Sequence, residues 1–215
     1  MRMMARRLVL ASRNPHKLRE LRDLLSPYEL EPLPEGIQLP PEVGHTFAAN
    51  ALAKARAAAA AVGRPAVADD SGIEAAALGG APGVRSARYA GEGAGDEANL
   101  AKLLREVASA EPAHAPGDRR VAYVCALAYA EPPAGGAAGD AERREELVVE
   151  GRCEGTLAAT PRGRGGFGYD PAFVPSDRDD GRTMAELSPA EKDAISHRGR
   201  AARGLLAKLD DDGAP

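Results

Sequence analysis

A short apolar run, Ala66-Val67-Ala68, ends in two adjacent carboxylates, Asp69 and Asp70, and then meets Ser71-Gly72. No other stretch limits the possible folds as tightly. An apolar run of strand length that closes in acids is how a parallel-type sheet presents side chains at its carboxyl edge. Adjacent strand residues point to opposite faces. At most one of the two aspartates can therefore look into a given cleft, and the other faces the fold, where backbone N–H groups are its expected partners. The strand is expected to break at a Ser71-Gly72 turn. A plainer alternative is a strand and an acidic turn with both carboxylates solvated.

Composition narrows the function classes. The 215 residues suit one domain, or two small lobes sharing a core. With 28 Lys and Arg against 32 Asp and Glu, the net charge of −4 gives no global field to recruit nucleic acid. Five Tyr, three Phe and no Trp argue against stacking platforms for single strands. Any phosphate binding must be local. Cys125 and Cys153 show no pairing pattern, as in a reducing compartment, and His16, His45, His114 and His197 lack zinc-ligand spacing. The basic start, residues 1–7, is followed only by Leu8-Val9-Leu10-Ala11, too short for a secretory apolar region. No stretch approaches the ~20 apolar residues of a membrane helix, and a cytoplasmic protein is expected.

In chain order, Leu8 to Ala11 is a buried-strand pattern that runs into Ser12-Arg13-Asn14-Pro15-His16-Lys17. Asn14 followed by Pro15 is a helix start, N-cap and then first helical position. Leu18, Leu21, Leu24 and Leu25 carry the helix to about residue 26. The corner gathers free N–H groups, the positive end of a helix dipole, Ser12, Asn14 and Lys17, which suits a phosphate. The alternative is ordinary capping with Lys17 solvated. One short strand is expected within residues 30–39. Thr46 then caps an Ala-rich helix over residues 47–62, with Asn50, Lys54 and Arg56 as its polar members and Ala49 where a capping box wants Glu or Gln. Glu42 precedes this helix start.

Residues 96–107 form an amphipathic helix pattern, and residues 121–130 a long strand whose partner returns over residues 147–155. Between them, residues 131–146 are low-complexity and charged, an expected mobile hairpin tip. The run Gly165-Gly166-Phe167-Gly168-Tyr169-Asp170 sets exposed backbone beside rings that could stack on a base, or is simply a Gly-rich loop with two aromatic anchors. Ser188-Pro189-Ala190-Glu191 is a full capping box opening a helix that carries Lys192. Ser196-His197-Arg198 starts the last helix, where the dipole disfavours cations unless an anion or carbonyl offsets them.

Taken together, these runs resemble the non-canonical purine nucleoside triphosphate pyrophosphatases, the inosine/xanthosine triphosphate pyrophosphatase family. The resemblance spans residues 8–209 and rests on Ser12 to Lys17, Thr46-Phe47 with Asn50-Ala51, Ala68-Asp69-Asp70-Ser71-Gly72, Gly79-Gly80-Ala81-Pro82-Gly83 with Ser86-Ala87-Arg88-Tyr89, Gly165 to Pro171, and Ser196-His197-Arg198-Gly199. Each run alone is weak; this many in order are specific.

The resemblance implies an α/β fold of two lobes around a long, curved, mixed sheet with flanking helices, one such domain over residues 1–215, with the nucleotide in the cleft between lobes. It implies a homodimer and a Mg²⁺-dependent enzyme that converts ITP, dITP and XTP to the monophosphate and pyrophosphate. By position, Ser12, Arg13, Asn14, Pro15, His16 and Lys17 would hold the triphosphate. Asp70 would be base and metal ligand, with Ser71 touching substrate and Glu42 the second metal carboxylate. Phe167, Gly168, Tyr169, Asp170, Lys192, His197 and Arg198 would line the nucleotide site, Arg198 supplying donors to a 6-oxo group. Two departures are Ala49, where relatives commonly carry Glu, and the longer 131–146 insertion. The alternatives are a Maf-like pyrophosphatase acting on other modified nucleotides, which Ser196-His197-Arg198 disfavours, and a nucleotide-binding sensor without catalysis, which Lys17, Asp70 and Glu42 disfavour.

Overall fold

The computed structural model describes residues 7–110, 117–133 and 145–211. Local chemistry accounts for most element boundaries. Strand β1 is Arg7–Leu10, and helix α1 is Pro15–Leu24, capped by Asn14, whose side chain accepts from His16 N and Lys17 N. Strand β2 is Glu29–Pro32. Helix α2, Phe47–Val62, starts at Thr46, whose hydroxyl accepts from Ala49 N, and ends at the left-handed Gly63. Only half of a capping box exists here, because Ala49 has no side chain to reach back. Strand β3 is Ala66–Ala75, α3 is Asp96–Ala110, β4 is Arg120–Ala130 and β5 is Glu146–Leu157. After β6, Phe173–Pro175, come α4, Pro189–Ile195, with the expected capping box between Ser188 and Glu191, and α5, His197–Asp211.

The six strands run in the order β2-β1-β3-β4-β5-β6. Strand β1 pairs in parallel with β2, Leu8 opposite Leu30, and with β3, Leu10 opposite Val67. Strands β5 and β6 are antiparallel, Thr156 opposite Val174, so the sheet is mixed, as expected. The β1–β3 register has a functional consequence. With Leu10 beside Val67, Asp69 and Asp70 on β3 lie just past the end of β1, on the side where the chain turns at Ser12–Asn14.

Two compact units divide the described residues. One takes in 7–70, 125–133, 145–151 and 198–211; the other takes in 71–110, 117–124 and 152–197. Each has its own apolar core. The first is built from β1, α1, the start of β3, the end of β4 and α5, including Leu10, Leu21, Leu127 and Leu205. The second is built from Ile73, Leu103, Val121, Phe173 and Met184 among others.

One expectation fails here. Strand β3 does not break at Ser71-Gly72 but continues to Ala75. The continuation supplies Ile73 and Ala75 to the second core, and the Ser86 hydroxyl accepts from Ile73 N at 2.9 Å. Burial of these two side chains outweighs the weak strand preference of Ser-Gly. Glu131 N donates to Glu145 O at 3.2 Å, while residues 134–144 of the expected hairpin tip lie outside the described residues. Among the described residues, no helix is long and apolar enough to cross a membrane.

Candidate active site

In the first unit, the site is built where β1 ends beside β3, next to Asp69 and Asp70. Asp69 and Asp70 are both buried. Asp69 does not rely on the backbone N–H partners expected of it. Its Oδ2 lies 3.0 Å from Lys17 Nζ and 3.1 Å from Arg198 Nη2, and Arg198 Nη1 continues to Glu20 Oε2 at 2.5 Å. Burial opposes ionisation of Asp69, but the charges of Lys17, Arg198 and Lys54 outweigh it and hold the carboxyl well below the usual range. Arg198 is itself fully enclosed; burial works against its charge, while Asp69 and Glu20 raise its pKa further. The anion that the His197-Arg198 helix start called for is therefore supplied by the chain itself.

Asp70 sits in a different environment. Asn50 Nδ2 donates to its Oδ2 at 2.8 Å, and Asn50 Oδ1 accepts from Gly44 N at 2.8 Å. Gly44 is required there: a Cβ on it would lie 2.6 Å from Asn50 Oδ1. Asn50 thus ties the segment carrying Glu42 to Asp70. One turn further along α2, the buried Lys54 donates to Glu42 Oε1 and, at 2.7 Å, to Asp69 O; its Nζ is 3.9 Å from Asp70 Oδ1. Burial raises the Asp70 pKa; Lys54 opposes the shift and the Glu42 charge adds to it. Burial works against the Lys54 charge, but Asp69, Glu42 and Asp70 raise its pKa, so it stays an ammonium.

The Ser12–Lys17 corner is more occupied than expected. Asn14 Oδ1 accepts from His16 N at 2.8 Å and Lys17 N at 3.4 Å, and Ser12 Oγ accepts from Asn14 N at 3.2 Å. The N–H groups expected to be open are therefore capped within the helix. Arg13 donates to Leu33 O, Pro34 O and Ile37 O at 2.8 to 3.0 Å, pinning the Pro-rich segment after β2. Pro15 and His16 are exposed.

The second unit holds the other candidates. Asp170, buried, accepts from Tyr123 OH at 3.0 Å, from Phe167 N at 3.0 Å and from Lys192 Nζ at 2.8 Å. Gly166 makes room for it: at φ +69°, an added Cβ would meet Asp170 Oδ2 at 2.0 Å. Lys192 Nζ also stands 5.2 Å over the Phe167 ring, a cation–π contact. His197 is stacked on Tyr123, ring centroids 4.5 Å apart, and Tyr123 on Phe173 at 4.4 Å. Tyr169 is buried with its hydroxyl donating to Ser86 O at 2.8 Å, so its ring anchors the loop. Gly168 N donates to Asp96 Oδ2 at 2.7 Å, and Ser71 is half-buried on β3.

The sequence profile of the Ham1 family matches residues 8–208. The chain belongs to the Ham1 family. Among its relatives, the dITP/XTP pyrophosphatase of Mycobacterium bovis is 49% identical over 215 residues, covering 94% of this chain and 95% of that one. The dITP/XTP pyrophosphatase of Ralstonia nicotianae is 48% identical, covering 95% and 96%. Among solved structures, a HAM1 protein from Coxiella burnetii is similar at a TM-score of 0.80 with 41% identity, covering 96% of this chain and 99% of that one. The mixed α/β sheet read from the sequence is thus the Ham1 fold.

Within this Ham1 chain, the first unit brings together Lys17, Asp70, Glu42 and Arg198 as the sequence reading required. It adds Asn50, Lys54, Asp69 and Glu20 to the same cluster; within the second unit, Tyr123 joins Asp170 and His197. Asn50 and Lys54 carried a readable signal, two polar residues four apart on an Ala-rich helix and so on one face. Glu20 carried none, because its partner is 178 residues away.

Proposed function

We propose that this chain is a dITP/XTP pyrophosphatase, hydrolysing dITP, ITP and XTP to the monophosphate and pyrophosphate and so clearing non-canonical purines from the nucleotide pool. The observation that carries the reading is the charge arrangement just past the end of β1. A carboxylate pair, Glu42 and Asp70, adjoins the cation Lys54, and Lys17 is fixed beside them by Asp69. Relatives at 49% and 48% identity bearing that name support it.

The residues fit a divalent metal. Glu42 and Asp70 are hard oxygen donors that already share one cation, and two carboxylates with waters and substrate phosphates are a usual Mg²⁺ set. When bound there, Mg²⁺ offsets the charge of the triphosphate and acidifies a bound water. Among the described residues there is no cluster of three or more His, Cys, Asp or Glu that could hold a metal ion.

The chain's own residues do the remaining work. Lys17, on the first turn of α1, takes outer phosphate oxygens, and its tether to Asp69 keeps it extended toward the sheet edge. Asp70, oriented by Asn50, positions the attacking water and accepts its proton as oxygen bonds to the α-phosphorus and pyrophosphate leaves.

For base selectivity, Arg198 is committed to Asp69 and Glu20. The 6-oxo group of hypoxanthine or xanthine is instead assigned to Lys192, a donor held by Asp170 with the Phe167 ring beside it. A 6-amino group would face a donor with a donor, at a cost of roughly 1–3 kcal/mol. A homodimer is the assembly proposed by family likeness, and light scattering decides it.

The test is pyrophosphate release from dITP, XTP, GTP and ATP with Mg²⁺. Preference for dITP and XTP by about tenfold or more per mismatched contact is expected; equal rates on all four would overturn the reading.

A further inference from the structure

We infer that Lys54 is the resident counter-ion of the Glu42–Asp70 pair, and that it keeps the pair's affinity for a divalent cation low until a nucleotide arrives. The inference rests on the proposed reading only in taking that pair as the metal's ligands.

The ammonium is enclosed by acceptors from two segments of chain: Glu42 Oε1 from the loop before α2, and Asp69 O and Asp70 Oδ1 from β3. Its side chain is 8% exposed, with Ala51, Ala55 and Ala58 buried on the same helix. A lysine in such a place is costly to bury without anions, and the anions are costly to bury without it. The pair is therefore neutralised in part before any metal binds.

A divalent ion ligated by the same two carboxylates would come within a few ångströms of the ammonium. Two like charges at that separation repel strongly in a partly buried site. Mg²⁺ also gives up its waters reluctantly and favours sites that substrate phosphates complete. The triphosphate supplies the missing negative charge: its oxygens can take up the Lys54 ammonium and the metal together. Metal and nucleotide then bind with positive coupling, each raising the other's affinity by the same factor.

Calorimetric titration of Mg²⁺ into the nucleotide-free protein tests this, because it needs no turnover. Wild type is expected to bind Mg²⁺ with Kd weaker than about 1 mM, and Lys54→Met to bind at least about tenfold more tightly. Lys54→Met is also expected to melt lower without metal and to gain more than wild type on adding it. Equal or weaker Mg²⁺ binding by Lys54→Met, or a wild-type Kd tighter than that limit, overturns the inference. Should Lys54→Met fail to fold, wild type decides alone. Its Mg²⁺ affinity is expected to rise about tenfold or more with a non-hydrolysable XTP analogue, and no rise overturns the inference. A chain that gave these titrations but did not hydrolyse XTP would lose the proposed function and keep the counter-ion role. Hydrolysis with indifferent titrations would do the reverse.

Discussion

Arg198 Nη2 stands 3.1 Å from Asp69 Oδ2 across 129 residues of sequence, and neither side chain is open to solvent. Lys17 and Glu20 complete a four-membered cluster in which every charge has an opposite neighbour. Such a cluster stabilises little relative to an apolar core, yet removing one member leaves the rest buried and unbalanced.

Replacing Asp69 by Asn is therefore expected to destabilise the fold by about 3–5 kcal/mol, read from urea unfolding. The pH dependence follows in sign. The folded carboxyl titrates below its unfolded value of about 3.9, so its contribution is full above that pH and is lost as pH falls toward the depressed folded pKa. Wild-type stability is expected to decline below about pH 4, and the Asn variant to lose much of that slope. An unchanged slope would remove Asp69 as its source.

Asp70 runs the other way. Burial raises its folded pKa, so its contribution in metal-free protein is full below about pH 3.9 and is lost as pH rises through the folded pKa. Asp70→Asn is expected to lower turnover about 10²- to 10⁴-fold, while its melting temperature in EDTA at neutral pH equals or exceeds that of wild type. A variant that loses activity and fold together would place Asp70 in the framework instead.

Gly166→Ala probes the second unit. A Cβ 2.0 Å from Asp170 Oδ2, at φ +69°, displaces the carboxylate that holds Phe167 N, Tyr123 and Lys192. A loss of about 1–3 kcal/mol in stability and a raised KM for XTP are expected, from thermal scans and steady-state kinetics. Wild-type KM would detach this loop from nucleotide binding.

Chelation should separate chemistry from structure. EDTA is expected to abolish pyrophosphate release while the melting temperature moves by no more than about 2 °C, because Lys54 already bridges the carboxylate pair. A large fall in melting temperature would mean that a metal helps hold the fold.

What the sequence disclosed follows the range of the interactions. Asn14-Pro15, Thr46 and the Ser188–Glu191 box announce α1, α2 and α4 because capping acts within four residues. The dipole argument at His197-Arg198 asked for an anion or a carbonyl, but a single chain read in order could not say that Asp69 and Glu20 supply the anion beside Arg198. The strand break expected at Ser71-Gly72 failed for the same reason, since Ile73 and Ala75 are claimed by a core whose other members are distant in sequence. Lys54 was visible as a polar residue among alanines, while its role needed the partners.

The discontinuity of the first unit bears on how the polypeptide matures. Synthesis proceeds from the amino end at about 5–20 residues per second, so β1, α1 and β3 emerge well before Arg198 on α5. Until that guanidinium leaves the ribosome, Asp69 and Glu20 must wait hydrated, and the interior around them cannot shut. A nascent chain stalled before α5 would be an acidic, unsealed intermediate.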